Sequence, residues 1–84
     1  MRYRLDVKPS AAKEMRNLPN SVLSRINARN KSLAENPYER SAKKLVGSSR
    51  FRVAVGAYRI IYRIDDTSKV VSILSVRHRR EAYR

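Results

Sequence analysis

From Phe51 to Ile64 the chain alternates two kinds of side chain, and the alternation is interrupted once, at Gly56-Ala57. A period of two on either side of a glycine is the pattern of a β-hairpin. Phe51, Val53 and Val55 on the first strand then share a face with Tyr58, Ile60, Tyr62 and Ile64 on the second. Arg52, Arg59 and Arg63 project from the opposite face. One side of the hairpin is a packing surface and the other a row of guanidinium groups with no acidic neighbour on the same strands.

The rest of the chain is organised around that hairpin. Asp65-Asp66-Thr67-Ser68 makes a second turn into Val70 to Val76, which is apolar on both faces and is expected to be a central strand. At the other end, Tyr3, Leu5 and Val7 alternate with Arg2, Arg4, Asp6 and Lys8, the period of a half-buried strand over residues 2 to 8 that Pro9 ends. Ser10 is expected to cap a helix from Ala11 to Leu18, with Met15 and Leu18 facing inward. Pro19-Asn20-Ser21 closes that helix and caps a second, from about Ser21 to Glu35, whose stripe is Val22, Ile26 and Leu33. Asn36-Pro37 stops it. Residues 38 to 50 read as a basic loop with a short ordered piece at Leu45-Val46. The order is β-α-α-β-β-β, an α+β chain without repeats or linkers, and 84 residues leave room for one domain, 1–84, with a thin stability margin.

Charge bounds the function. Lys and Arg total 20 against 7 acidic residues, a formal charge of +13, so the partner is expected to be polyanionic: nucleic acid, a ribosome or an acidic protein. A membrane surface fits the charge alone, but there is no apolar run of about 18 residues and the start lacks the apolar segment of a signal peptide. A soluble, cytoplasmic protein with no membrane partner is expected. Without cysteine, and with one histidine, neither a disulfide framework nor a structural metal site is expected. Arg77, Arg79, Arg80, Tyr83 and Arg84 in the tail, which is expected to lie against the sheet, extend the cationic face and add one aromatic. Guanidinium forks match phosphate oxygens bidentately and a tyrosine ring stacks on a base, so the surface suits RNA better than a small ligand. A solvated face usually mixes both signs of charge, and this one does not.

Three segments carry a family resemblance: Lys44-Leu45-Val46-Gly47, the hairpin run from Phe51 through Tyr58-Arg59-Ile60-Ile61-Tyr62-Arg63, and the closing Arg77-His78-Arg79-Arg80-Glu81-Ala82-Tyr83. In this order, after two helices, they resemble the RelE/ParE toxin superfamily over nearly the whole chain, and the ending resembles its RelE branch of mRNA-cleaving toxins. The resemblance implies a small, mainly antiparallel sheet with two helices packed on one face. It implies a type II toxin that enters the ribosomal decoding site and cuts mRNA there. The RNA's own 2′-hydroxyl is the nucleophile, a 2′,3′-cyclic phosphate and a 5′-hydroxyl are left, and no metal or other cofactor takes part. By the same resemblance Arg52, Arg59, Arg79 and Tyr83 are the catalytic set. Lys43 and Lys44 would grip the RNA backbone with Arg63, Arg77 and Arg80. An acidic, RelB-like antitoxin is implied as partner, the toxin being a monomer alone and part of a hetero-oligomer in the complex.

Two positions depart from the family pattern: Ala54 stands where many relatives carry a second basic residue, and Arg77 where glycine is common. The first removes a possible proton donor, for which His78 or Arg77 are candidate replacements. Histidine is the one residue type that ordinarily titrates near neutrality. Arginine, protonated up to a pKa above about 12, stabilises a phosphorane-like transition state but shuttles protons poorly. Surrounding guanidinium groups favour the phenolate of Tyr83, which suits it to accept the 2′-hydroxyl proton. Such a site should be poor on free RNA and depend on the ribosome to align the 2′-oxygen with the scissile bond. Two other readings fit the same residues. One is a ParE-type poison of DNA gyrase, a branch that generally lacks the basic catalytic set; the other is a nucleic-acid-binding module without activity.

Overall fold

Pro9 both ends the first strand and begins the first helix. The computed structural model describes residues 2–81. In it β1 spans Arg4–Val7 and α1 follows over Pro9–Arg16, with Pro9 in the first turn, where its missing N–H would have had no helical partner. Lys8 is therefore the N-cap residue, and Ser10 lies inside the helix instead of capping it. The Ser10 hydroxyl donates to the Leu74 carbonyl at 2.9 Å. α2 covers Asn20–Glu35 and starts at Pro19 with no side-chain cap, so the expected Asn20-Ser21 cap is also absent. It stops where Asn36 turns extended (φ −148°) ahead of Pro37, a conformation that a following proline favours.

The strands that follow are β2 (Lys43–Lys44), β3 (Arg50–Val55), β4 (Tyr58–Asp65) and β5 (Val70–His78). The expected β-α-α-β-β-β order thus gains one strand. The ordered piece of the basic loop is Lys43–Lys44 rather than Leu45-Val46, and Val46 is fully exposed in the turn that follows. Two residues are too few to carry a periodic signal; pairing with β3 is what makes them a strand.

The sheet order is β1-β5-β4-β3-β2, with β1 parallel to β5 and the other neighbours antiparallel. β5 lies inside the sheet, as its two apolar faces require. β3 and β4 close through a two-residue loop whose positive φ falls on Gly56 (+58°), as in a type II′ hairpin turn. α1 packs on β5, and α2 lies across β1, β5 and β3. Ala11, Met15, Ile26 and Leu33 from the helices meet Val53, Ile60, Tyr62, Val71, Ile73 and Val76 from the sheet. Burying side chains such as Ile26 and Leu33 contributes about 1.5–3 kcal/mol each.

β1 is shorter than β5 and leaves part of its edge uncovered. α1 and its approach cover it instead: Lys8 N–H donates to the Ile73 carbonyl, Ser10 to Leu74, and Val76 N–H to Glu14 Oε1 at 2.9 Å. Leu74 is the extra residue of a bulge where the register shifts between Ile61 and Tyr62. Among the described residues no helix is long and apolar enough to cross a membrane.

Candidate active site

Strand register decides which cations share a face. Residues directly opposite one another on neighbouring strands point to the same side. Lys43 is opposite Arg52, Arg52 opposite Ile61 and Ile61 opposite Ser75; one step along, Ala54 is opposite Arg59 and Arg59 opposite Arg77. All lie on the face away from the helices. There Lys43, Arg52 and Arg59 border a shallow cleft of ≈ 190 Å³ whose other lining residues are Ser41, Val53 and Ala54. None of these is acidic. Ala54, directly opposite Arg59 and two residues along from Arg52, contributes only a methyl group to the lining.

The cleft walls are held from behind. Arg59 Nη1 donates to the carbonyls of Gly56 (3.1 Å) and Tyr58 (2.9 Å), which ties its guanidinium to the hairpin turn. Ser41 belongs to a network in which Arg29 donates to Glu39 Oε1 (2.6 Å) and to Ser41 Oγ (2.8 Å), while Ser41 donates to Glu39 through its N–H (3.0 Å) and its hydroxyl. The Ser41 hydroxyl, together with the Arg29 charge and against the effect of burial, holds the Glu39 carboxyl below the usual range.

Other residues expected at the site are placed apart. Arg63 is on the same face but one row further, between Arg50 and Ser72. Arg77 stands opposite Arg59, yet its Nε donates to Glu14 Oε2 at 2.7 Å, and that bond keeps the guanidinium even more firmly protonated. His78 is opposite Tyr58 on the helix-facing side, its ring edge-on to the tyrosine at 5.5 Å and its Nδ1 accepting from Arg80 N–H at 3.2 Å. It borders a hollow of ≈ 500 Å³ with Glu14, Leu18, Tyr58 and Arg77. The sheet itself separates it from Arg52 and Arg59. Lys44 is opposite Phe51 and so on the other face from Lys43. Arg79 is exposed and held beside the hairpin turn by its N–H on the Ala57 carbonyl (2.8 Å); Arg80 is exposed in the turn that follows. Tyr83 lies outside the described residues.

Sequence reasoning missed Ser41 as a wall of the cleft and Glu14 as the partner of Arg77. Nothing local signals either. The Glu14–Arg77 contact spans 63 positions, and Ser41 comes into place only because the two-residue β2 pairs with β3.

Comparison with known proteins identifies the fold and the family. The family model described as the ParE toxin of the type II toxin–antitoxin system, parDE, matches residues 5–83. No curated protein sequence matches the chain significantly. Among solved structures, a chain of the toxin–antitoxin complex RelBE2 from Mycobacterium tuberculosis is similar at 30% identity and a TM-score of 0.86, with 93% of this chain and 99% of that one covered. A chain of the archaeal RelE–RelB complex from Pyrococcus horikoshii OT3 is similar at 28% identity and 0.84, over 98% and 100% of the two chains. A mutant of the E. coli toxin RelE in the free state is similar at 25% identity and 0.84, over 99% and 90%. The sheet, the two helices on one side of it and the match from residue 5 to residue 83 place this chain in the ParE toxin family of type II toxin–antitoxin systems, within the RelE/ParE superfamily.

Proposed function

We propose that this toxin is a ribosome-dependent mRNA endonuclease. The observation that carries the reading is the cleft in which Lys43, Arg52 and Arg59 converge over Ala54 with no acidic residue in its lining. Three fixed cations suit a phosphate that gains negative charge on the way to a pentacoordinate transition state, and charge stabilisation of this kind is commonly the largest catalytic effect. Arg79, from the end of β5, adds a fourth, and Tyr83 accepts the proton of the attacking 2′-hydroxyl. Lys44, Arg63 and Arg80 hold neighbouring phosphates. Arg77 and His78 take no part in bond breaking in this scheme, since one is bound to Glu14 and the other faces the helices. The ribosome supplies the alignment of nucleophile and leaving group that the cleft lacks.

The relatives from M. tuberculosis and P. horikoshii are chains of toxin–antitoxin complexes, and this supports a cognate RelB-like antitoxin here. With +13 on the toxin, that antitoxin is acidic.

Mapping of mRNA 5′ ends after addition of the protein to translating ribosomes tests the reading. New 5′-hydroxyl ends at decoding-site codons are expected, absent from ribosome-free RNA and reduced for Arg79→Ala and Tyr83→Phe. Intact mRNA during growth arrest would overturn it. That outcome would favour poisoning of DNA gyrase, the reading that the match to a ParE family model supports.

A further inference from the structure

Lys43 reaches the cleft on the shortest strand of the sheet. β2 makes two register pairs, Lys43 with Arg52 and Lys44 with Phe51, and it lies at the sheet edge with one neighbour. Two pairs are a weak hold, since so short an edge element opens locally with ease. Beyond it, Leu45 N–H donates to the Arg50 carbonyl at 2.8 Å. Ahead of it the anchor is made of side chains. Resting on the nuclease reading above, we infer that Glu39 and Arg29 are positioning residues of this site: Glu39 fixes the segment that carries Lys43 into the cleft, and Arg29 orients Glu39 and offsets its charge.

Glu39 closes on the chain just ahead of it. Its Oε2 accepts from Ser41 N–H at 3.0 Å, its Oε1 from the Ser41 hydroxyl, and its backbone carbonyl from Ala42 N–H at 3.1 Å. Three bonds to one residue leave Ser41 and Ala42 little freedom, and Lys43 is next in the chain. Arg29, on α2, donates from Nη2 to Glu39 Oε1 at 2.6 Å and to Ser41 Oγ at 2.8 Å, so it grips the carboxylate and the hydroxyl together. Both side chains of the ion pair are partly buried, and Arg29 Nε is buried with no hydrogen-bond partner among the described residues. No residue of α2 lines the cleft, so the helix layer sets one wall of a site on the far side of the sheet.

The same pair removes an electrostatic conflict. Ser41 lines the cleft and its hydroxyl is bonded to a carboxylate, a charge that repels any phosphodiester bound there. Arg29, at 2.6 Å from Glu39, supplies the opposite charge from behind. The repulsion it offsets grows as the phosphate gains charge toward the transition state. Glu39 and Arg29 thus touch no reacting atom and act on the reaction through Lys43 and through the field in the cleft.

A double-mutant cycle separates positioning from stability. Single-turnover cleavage of mRNA on programmed ribosomes is measured for Glu39→Gln, Lys43→Ala and the two combined, with the ribosome affinity and urea midpoint of each preparation. Glu39→Gln keeps the shape of the side chain and loses its charge. It should slow cleavage by about 10-fold or more at an affinity within a few-fold of wild type, the signature of a displaced group. In the Lys43→Ala background it should cost no further rate, because no ammonium is left to place. Arg29→Met, which leaves the carboxylate uncompensated, should slow cleavage more than Glu39→Gln does, and adding Glu39→Gln to it should return part of the loss. Ser41→Ala, a milder change, runs the same cycle with Lys43→Ala should Glu39→Gln fail to fold. Cleavage at the parental rate by Glu39→Gln or by Lys43→Ala, or an equal loss with and without Lys43, would overturn the assignment and leave the pair a role in stability alone. A wild-type protein that cuts no mRNA would overturn the nuclease reading and the assignment with it.

Discussion

Tyr62 sits on the inner face of β4 with its ring stacked on Phe51 (5.7 Å between centroids) and its hydroxyl donating to the Pro37 carbonyl at 2.7 Å. Burial, the largest effect on it, pushes the phenol up to about 12. The alternation of the hairpin already placed Tyr62 inward; its partner was illegible, because Pro37 lies 25 positions away in a segment without periodicity. Tyr62→Phe should keep the packing and strand Pro37's buried carbonyl. A loss of about 1–3 kcal/mol is expected, read as a lower urea midpoint at unchanged slope. Unchanged stability would mean that water satisfies that carbonyl. The same limit on local reading applies at the site. Arg52 and Arg59 were legible as outward cations from period alone, whereas the withdrawal of Arg77 to Glu14 depends on a contact across 63 positions and that of His78 behind the sheet on its pairing with Tyr58.

Elements were legible where they were long. The hairpin, β5 and both helices follow from period and from Pro9, Pro19 and Pro37, while β2 is visible only as a partner of β3. A separate tie joins the β4–β5 turn to the rest: Asp66 accepts from the hydroxyls of Tyr3, beside β1, and Tyr38, beyond α2. The bond to Tyr3 first, then that to Tyr38, holds the Asp66 carboxyl below its ordinary value, and the bond to Asp66 raises Tyr3 to about 12. For the carboxyl the folded pKa lies below the unfolded one, so its stabilisation is present above the unfolded value and is lost as pH falls through the folded one. For the phenol the folded pKa lies above the unfolded one, so its stabilisation is complete below about 10 and is lost as pH rises toward 12. Wild type should therefore exceed Tyr3→Phe in stability across the neutral range, with the gap closing on acidification below pH 4. A gap that is the same at pH 7 and at pH 2 would contradict the tie.

At the scale of the whole molecule, a net charge of +13 on 84 residues makes association with RNA a matter of counterion release. Lys43, Arg52 and Arg59 alone should give a plot of log K against log salt a slope of about −2 or steeper, at about 0.7 per phosphate neutralised on a single strand. A flat plot would place RNA binding somewhere other than the cationic face. The central claim is that this face also performs chemistry. Single-turnover cleavage of mRNA on programmed ribosomes by Arg59→Ala, with ribosome affinity measured on the same preparation, tests it most directly. The predicted result is cleavage slowed by about 10²–10³-fold at an affinity within a few-fold of wild type, because Arg59 acts more strongly on the charge that develops in the transition state than on the ground-state phosphate. Cleavage at the parental rate, or a loss matched by an equal loss of affinity, would contradict it.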